Sequence, residues 1–387
     1  MEGKLHIAIG WDGAAVNAVA LHSSRPLHAS RLMPGKSLQA AVDNVPLLFS
    51  LCGRAQGVAA VMAAEAALEV GGSETLRTVR TRLVLCETIQ EHLWRILIDW
   101  ARLAGMQPGM HSMADIRIMI GHALKQQLAA GDWKTIGGKP NVEQGKAWLA
   151  FANALKDFLR DEVFGCEPEQ WLEMETPERL ENWCRGNTAL AAQILNSLAQ
   201  CERFGSSGVA AMPRPDEVWL RQAVQAMSED AEFSQRPDWH GAALETGAWA
   251  RQQRHPLLLS LAATNGNSVY ARVVARLIEL AQLLELVPTD CGSAAWSGSQ
   301  SLDDGAGIAW VETARGLLMH RVASDGERIV AYQIVAPTEW NFHANGALVQ
   351  GLRGMPAASK DEVRRRAEWL VQSLDPCVAY EITVHRA

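Results

Sequence analysis

The chain has 387 residues, of which 48% are apolar and 20% are charged, and its formal net charge is −7. That apolar content is sufficient for a buried core, and the length suits one large domain or two ordinary ones. The negative charge argues against a nucleic-acid partner, because a nucleic-acid-binding surface carries a basic footprint.

The first predicted element is a β-hairpin in the region 1–36. Apolar and polar residues alternate on both sides of Asp12-Gly13 in "KLHIAIGWDGAAVNAVALHS", a pattern typical of two strands joined by a tight turn. A helical centre over residues 37–286 follows, with Ser37 as its first N-cap, since apolar residues there recur at helical spacing. The predicted helices cover residues 37–53, 56–70, 74–103, 113–130, 143–160, 188–203 and 215–228.

The period of the apolar pattern changes after "PTDCGSAAWSGSQSLDDGAG", residues 288–307, which is the longest predicted linker. Alternation over 307–342 predicts strands joined at Asp325-Gly326. The last region, 359–387, holds a helix and an Asp-Pro-Cys motif, and Ser359 with Glu362 forms a capping box at the helix start. This order predicts an α+β fold over residues 1–387, with an N-terminal hairpin, a helical centre and a small C-terminal sheet.

The sequence shows neither a membrane span nor a secretion signal, and its cysteines form no zinc-binding pattern. The most apolar run, residues 57–70, contains a charged residue and is too short to cross a membrane. The first ten residues show no secretion signal. We therefore expect a cytoplasmic protein without a membrane partner, whose thiols stay reduced. None of the seven cysteines forms a C-x-x-C pair, which argues against a self-contained zinc site; they stand at positions 52, 86, 166, 184, 201, 291 and 377.

Two of the cysteines lie in segments that resemble the metal-binding motifs of nickel–iron hydrogenase large subunits. "SLCGRAQGVA" is similar to the early motif R-x-C-G-x-C-x-x-x-H, with Cys52 as its first cysteine. "DPCVAYEIT" is similar to the late motif D-P-C-x-x-C-x-x-H, with Cys377 as its first cysteine. Further segments resemble this family in the same order along the chain: "EGKLHI" (2–7), "EHLWRILIDW" (91–100), "ETGAWAR" (245–251), "ETARGLLMH" (312–320) and "YQIVAPTEWN" (332–341).

The second cysteine of each motif is absent, and Ala55 and Tyr380 stand in the two places. In the family these cysteines bridge nickel and iron. Alanine has no donor atom, and a phenol is a poor substitute for a thiolate. Ala59 also replaces the histidine of the early motif. We therefore expect no dinuclear centre, no nickel and no catalysis.

The resemblance further implies that the residues around the iron ligands are kept. In the family, cyanide and carbonyl ligands are held by the Arg-Gly segment and by the hydroxyl after a proline, positions that Arg315, Pro337 and Thr338 occupy here. This combination is similar to the HoxV/HupK group of hydrogenase maturation proteins. It implies a scaffold on which Cys52 and Cys377 bind an Fe(CN)2(CO) fragment transiently.

The resemblance also implies partners and leaves alternatives open. The fragment would come from a HypC-type chaperone with HypD and would pass to the apo large subunit. The two cysteines match nickel-terminal positions, so iron either shifts within the pocket or is held by these thiolates directly. A divergent nickel redox enzyme and a metal-free interaction protein are the competing functions.

Structural roles compete with each assignment. Cys52 is alternatively a buried core residue, Arg315 an ion-pair partner of Glu312, and Thr338 a residue bonded within its own turn. Asp375 is expected to cap the turn before Cys377. The other cysteines are expected to be core or bystander thiols, and His320 and His385 satisfied polar groups.

Overall fold

Within the residues that the structure describes, the fold combines three β-sheets with a large helical region. A computed structural model describes residues 3–24, 28–49, 51–129, 132–139, 145–199, 204–230, 232–286 and 296–386. The strands are β1 (Lys4–Trp11), β2 (Val16–Ser23), β3 (Ala210–Ala211), β4 (Leu244–Glu245), β5 (Ser297–Leu302), β6 (Ala306–Thr313), β7 (Gly316–Ser324), β8 (Ile329–Val335) and β9 (Ala379–Arg386).

The helices between and after these strands include two long ones that run through the core. They are α1 (His28–Arg31), α2 (Leu38–Asn44), α3 (Gly53–Ala67), α4 (Glu74–Trp94), α5 (Ala101–Leu103), α6 (Met110–Ala129), α7 (Gly145–Leu159), α8 (Pro168–Leu172), α9 (Pro177–Cys184), α10 (Leu190–Ala199), α11 (Glu217–Glu229), α12 (Ala248–Gln252), α13 (Pro256–Asn265), α14 (Val269–Leu286), α15 (Pro337–Asn341), α16 (Ala347–Leu352) and α17 (Lys360–Leu374).

The two ends of the chain meet in one sheet of order β2-β1-β9. β1 pairs antiparallel with β2, as the predicted hairpin requires, and parallel with β9. Leu5, Ile7 and Ile9 are buried on the inner face of β1. β9 was not predicted, and its pairing carries the segment after Cys377 back to the N-terminus. A single domain over residues 1–387 remains a prediction with which this pairing is consistent.

The Ala-rich helix α3 packs against the four-stranded sheet β5-β6-β7-β8. Its small side chains let the sheet approach the helix backbone closely. A Cβ atom on Gly307 of β6 would lie only 2.4 Å from the carbonyl oxygen of Ala63. This contact explains the small residues in the apolar run.

The predicted helix over 74–103 is confirmed, but it contains an irregular stretch. α4 continues through a π-helical segment, Arg95–Trp100, into α5. π-Helical segments frequently mark functional sites, and this one presents Arg95 to the C-terminal Asp-Pro-Cys motif. The almost fully buried α14 runs beside α4 through the core. Within the described ranges, no helix is both long enough and apolar enough to span a bilayer.

Two sequence predictions need correction. The predicted linker contains β5, because Ser297–Leu302 pairs in register with β6 as an edge strand. The predicted strand region ends in the short helix α15, which begins at Pro337 because proline favours the first helical position. Several predictions fall outside the described residues: Glu2, Cys201, Cys291, residues 143–144, the end of the helix at 200–203 and the linker residues 288–295.

Candidate metal centre

Cys52 lies at the N-cap of α3, after a 3-10 turn at Val45–Leu48, and its side chain is partly exposed. The first amides of α3 are occupied by a buried carboxylate. The N–H groups of Arg54 and Ala55 donate to the two oxygens of Glu87 at 2.9 and 3.2 Å. Burial nevertheless raises the pKa of Glu87 to about 7. Glu87 thus fixes the helix start that positions Cys52.

Cys377 follows α17, where the chain turns through Asp375 in the left-handed conformation with φ of 57°. Cys377, like Cys52, is partly exposed. The hydroxyl of Thr338 donates to Sγ of Cys377 at 3.1 Å and accepts the Cys377 backbone N–H at 3.2 Å. Thr338 is the second residue of α15, whose N-terminal Pro337 is buried beside it. The partner of Thr338 is therefore Cys377 and not its own turn.

The fold brings the two cysteines into one site, although 325 residues separate them in the sequence. Burial, together with the nearby Cys377, raises the pKa of the Cys52 thiol to about 12. Arg315 lowers the pKa of Cys52. In turn, the acidic residues Asp375 and Glu91 raise the pKa of Arg315, and both cysteines raise it as well. Such charge interactions inside a protein act between groups that lie close together. The predicted association of Cys52, Cys377 and Arg315 is thus present in the structure.

Arg315 lies in the tight turn between β6 and β7. Its backbone N–H donates to Oγ1 of Thr313 at 3.2 Å. The next residue, Gly316, has a φ of 127°, and a Cβ there would lie 2.5 Å from the side chain of Thr246, so only glycine fits. This turn holds the buried guanidinium beside the cysteines.

The ion-pair partners of Arg315 differ from the alternative considered from the sequence. Nη2 of Arg315 donates to Glu91 at 2.7 Å, and Nε lies 3.4 Å from Asp375. Glu312 instead accepts a hydrogen bond from Arg251. Among the described residues, the buried Nε of Arg315 has no hydrogen-bond partner.

Asp375 has a different role from the predicted turn cap. Its carboxylate is fully buried and accepts from Nε of Arg95 and Nη1 of Arg276, both at 2.8 Å, in addition to facing Arg315. Burial alone would raise the pKa of Asp375, but these three arginines lower it below its usual value. The carboxylate therefore anchors Cys377 to the buried arginine cluster.

The positions of the two missing cysteines supply no other donors. Ala55 is fully buried, and the hydroxyl of Tyr380 accepts from the side chain of Gln372 at 3.1 Å. Within the part of the chain that the structure describes, no group of three or more His, Cys, Asp or Glu side chains could hold a metal ion. This donor set does not fit the dinuclear nickel–iron centre of the enzymes.

A buried hydrogen-bond chain reaches Cys52 from the sheet. Nε2 of Gln56 donates toward Sγ of Cys52 at 3.7 Å, and Oε1 of Gln56 lies 2.8 Å from Nε2 of His320. Nδ1 of His320 lies 2.8 Å from the hydroxyl of Tyr332. His320 is thus a satisfied buried histidine, as predicted. Gln56 and Glu87 were not predicted as site residues, although each is a polar residue within an apolar stretch of a predicted helix.

The other described cysteines have no place in this site. Cys86 and Cys184 are buried in the main hydrophobic core, and Cys166 is partly buried at its edge, in agreement with their prediction as core or bystander thiols. The site therefore offers two thiols, one of them hydrogen-bonded by Thr338, and one buried guanidinium, which suits a small soft-metal fragment carrying anionic ligands.

Known proteins resemble the chain both in sequence and in fold. The profile of the family described as nickel-dependent hydrogenase matches residues 259–385. In structure, the chain resembles the Ni-Fe-Se hydrogenase of Desulfovibrio vulgaris Hildenborough, with a TM-score of 0.62 at 13% identity, covering 97% of this chain and 98% of that one. It is also similar to an NAD+-reducing [NiFe]-hydrogenase, with a TM-score of 0.61 at 17% identity and coverage of 97% and 95%. These likenesses confirm the predicted large-subunit-like α+β fold.

Two relatives are similar over almost their whole length. The hydrogenase expression/formation protein HoxV of Cupriavidus necator is 33% identical over 376 residues, covering 92% of this chain and 91% of the relative. The hydrogenase expression/formation protein HupK of Azotobacter vinelandii is 30% identical over 388 residues and covers both chains completely. With a hydrogenase large-subunit fold that lacks the donors of the dinuclear centre, the chain belongs to the HoxV/HupK family of hydrogenase expression/formation proteins.

Proposed function

We propose that this protein is a non-catalytic scaffold in hydrogenase maturation, which binds an Fe(CN)2(CO) fragment as cargo and transfers it to the apo large subunit. One observation carries the proposal. Cys52 and Cys377 are brought to one site beside Arg315, while the positions of the two bridging thiolates hold Ala55 and Tyr380.

The chemistry of the cargo matches the site. The fragment brings three ligands of its own, so it needs fewer protein donors than a bare metal ion. Its cyanide groups are anionic hydrogen-bond acceptors, and the buried guanidinium of Arg315 can donate to one of them. Both cysteines are partly exposed, so that cargo can enter and leave. Thiolate is the ligand type that such a soft metal fragment selects.

Incomplete ligation gives transfer its direction. Two thiolates provide half of the four that a catalytic large subunit supplies, so the cargo gains metal–sulfur bonds when it moves onward. The resemblance to hydrogenase maturation proteins points to a HypC-type chaperone, acting with HypD, as the donor. We place the exchange in the cytoplasm, where free thiols remain reduced.

The experiment is an infrared spectrum of the protein purified from cells that contain the maturation machinery. We expect cyanide and carbonyl stretching bands, together with iron and without stoichiometric nickel. If these bands appear on the chaperone under the same conditions and are absent from this protein, the scaffold proposal is wrong. Nickel bound one-to-one with hydrogen uptake would instead establish a divergent redox enzyme.

A metal-free interaction protein is the second candidate, and the small donor set favours it. Under this alternative the protein would hold maturation factors or the apo enzyme together through its surface, and the cysteines would have no role. Cells carrying Cys52→Ser or Cys377→Ser would then mature hydrogenase normally. Loss of maturation with either variant, while the protein stays folded and abundant, favours the scaffold.

A further inference from the structure

The hydrogen-bond chain that ends at Cys52 has a direction that follows from its buried groups. Burial raises the pKa of Tyr332, so its hydroxyl keeps its proton, and burial lowers the pKa of His320 to about 3, so its ring is neutral. His320 is the hydrogen-bond partner of Tyr332. A buried hydroxyl proton needs an acceptor, so Tyr332 donates to Nδ1 of His320.

This donation fixes the next two links. A neutral imidazole that accepts at Nδ1 carries its proton on Nε2, and this proton is donated to Oε1 of Gln56, 2.8 Å away. The amide nitrogen of Gln56 must then face the other way, toward Sγ of Cys52 at 3.7 Å. Which end of a glutamine amide is oxygen and which is nitrogen is assigned from its hydrogen-bond partners. Here Tyr332 and His320 set that orientation for Gln56.

Other donors at the start of α3 are already occupied. A side chain at a helix N-cap can accept the free backbone amides of the first turn, but the backbone amides of Arg54 and Ala55 donate to Glu87. The backbone N–H of Gln56 donates to the backbone carbonyl of Cys52 at 2.9 Å. Among the described residues, the side chain of Gln56 is therefore the hydrogen-bond donor that this helix offers to the sulfur.

We propose that Gln56 is a positioning residue whose amide, oriented by His320 and Tyr332, donates a hydrogen bond to the sulfur of metal-bound Cys52. The inference rests on the proposed function. A thiolate bound to a single metal keeps a lone pair free, and the side-chain amide of Gln56 stabilises it.

The test uses cobalt(II) added to the metal-free protein under reducing conditions, so that it does not depend on cargo delivery. A hydrogen bond lowers the energy of the sulfur lone pairs, so its loss moves the thiolate-to-cobalt charge-transfer band to longer wavelength. We expect this shift for Gln56→Leu, with cobalt affinity reduced about five- to tenfold. Tyr332→Phe, which releases the orientation without touching the sulfur, should shift the band less, in the same direction.

Gln127→Leu is the matched control, because Gln127 is a buried glutamine on α6 and the substitution is the same. Its band and affinity should equal those of the unaltered protein. Identical bands in the unaltered protein and Gln56→Leu would overturn the inference, as would a cobalt band that Cys52→Ser leaves unchanged. Failure of the scaffold proposal is seen separately, as missing cyanide and carbonyl bands in protein whose cobalt spectra still respond to Gln56→Leu.

Discussion

Thr338 and Cys377 are joined by two hydrogen bonds across 39 residues of sequence, one to the sulfur and one from the backbone amide. The hydroxyl of Thr338 is almost completely buried. A single side chain thus orients both the ligand atom and the backbone that carries it, and this pair links the end of the four-stranded sheet to the C-terminal motif.

The first prediction concerns this pair. Thr338→Val keeps the shape of the side chain but leaves the amide of Cys377 without its partner, which should lower the free energy of unfolding by about 1–2 kcal/mol. Thr338→Ser restores the hydroxyl and should recover most of this loss. Urea denaturation measures both variants. The infrared bands of the cargo should weaken in the Val variant and persist in the Ser variant; equal bands in both would mean that the hydroxyl does not support binding.

The second prediction separates ligand cysteines from bystanders. Cys52→Ser and Cys377→Ser should each abolish retention of the Fe(CN)2(CO) cargo while leaving the circular dichroism spectrum unchanged, because serine is close in size to cysteine. Cys166→Ser is the control, since Cys166 is also partly exposed but lies in another part of the fold. Retention of the cargo by both single variants would show that neither thiolate is required.

The third prediction concerns the arginine cluster around Asp375. Asp375→Asn removes the buried negative charge that faces Arg95, Arg276 and Arg315. Uncompensated buried charges are costly, so the free energy of unfolding should fall by about 3–5 kcal/mol. Asp157→Asn removes the exposed ion pair with Arg160 and should change stability by less than about 1 kcal/mol. Similar losses of unfolding free energy in the two variants would mean that the buried ion pairs of Asp375 stabilise the protein no more than an exposed ion pair does.

The fourth prediction is a pH dependence at Glu87. Its pKa is raised from 4.5 to about 7 by burial, so the folded state binds more protons than the unfolded state between these values. Ionisation of Glu87 therefore destabilises the protein as pH rises through this window. Relative to the unaltered protein, Glu87→Gln should gain about 2–3 kcal/mol in unfolding free energy between pH 5 and pH 8. Denaturation series at several pH values measure this difference, and a difference that does not change with pH would contradict the raised pKa.

Much of the fold follows from local sequence, whereas the site depends on long-range contacts. The hairpin, the helix over 74–103 and the capping box at Ser359 were predictable because turns, helical periods and caps are local signals. β5 was missed because its short polar and glycine residues match a linker, and only its pairing with β6 makes it a strand.

The site shows the same division. Cys52, Cys377, Arg315 and Thr338 were predicted through motif resemblance, yet their partners were not. Spacing in the sequence suggested Glu312 for Arg315, whereas folding supplies Glu91, 224 residues away. A buried ion pair is selected by the geometry of packed elements, which no local pattern reports.

The last prediction restores the missing ligands. Ala55 stands three residues after Cys52 at the start of α3, and Tyr380 stands three residues after Cys377 at the start of β9. Ala55→Cys combined with Tyr380→Cys would give the site four thiols, and the second change also releases Gln372 from its bond to the phenol. The cargo should then stay longer, by about tenfold for each ~1.4 kcal/mol of added binding, and delivery to the apo large subunit should slow. The measurement follows infrared bands on both proteins over time, with Ala55→Ser/Tyr380→Ser as the control for size without sulfur. Faster delivery from the four-cysteine variant would show that release does not depend on the absence of the bridging thiolates.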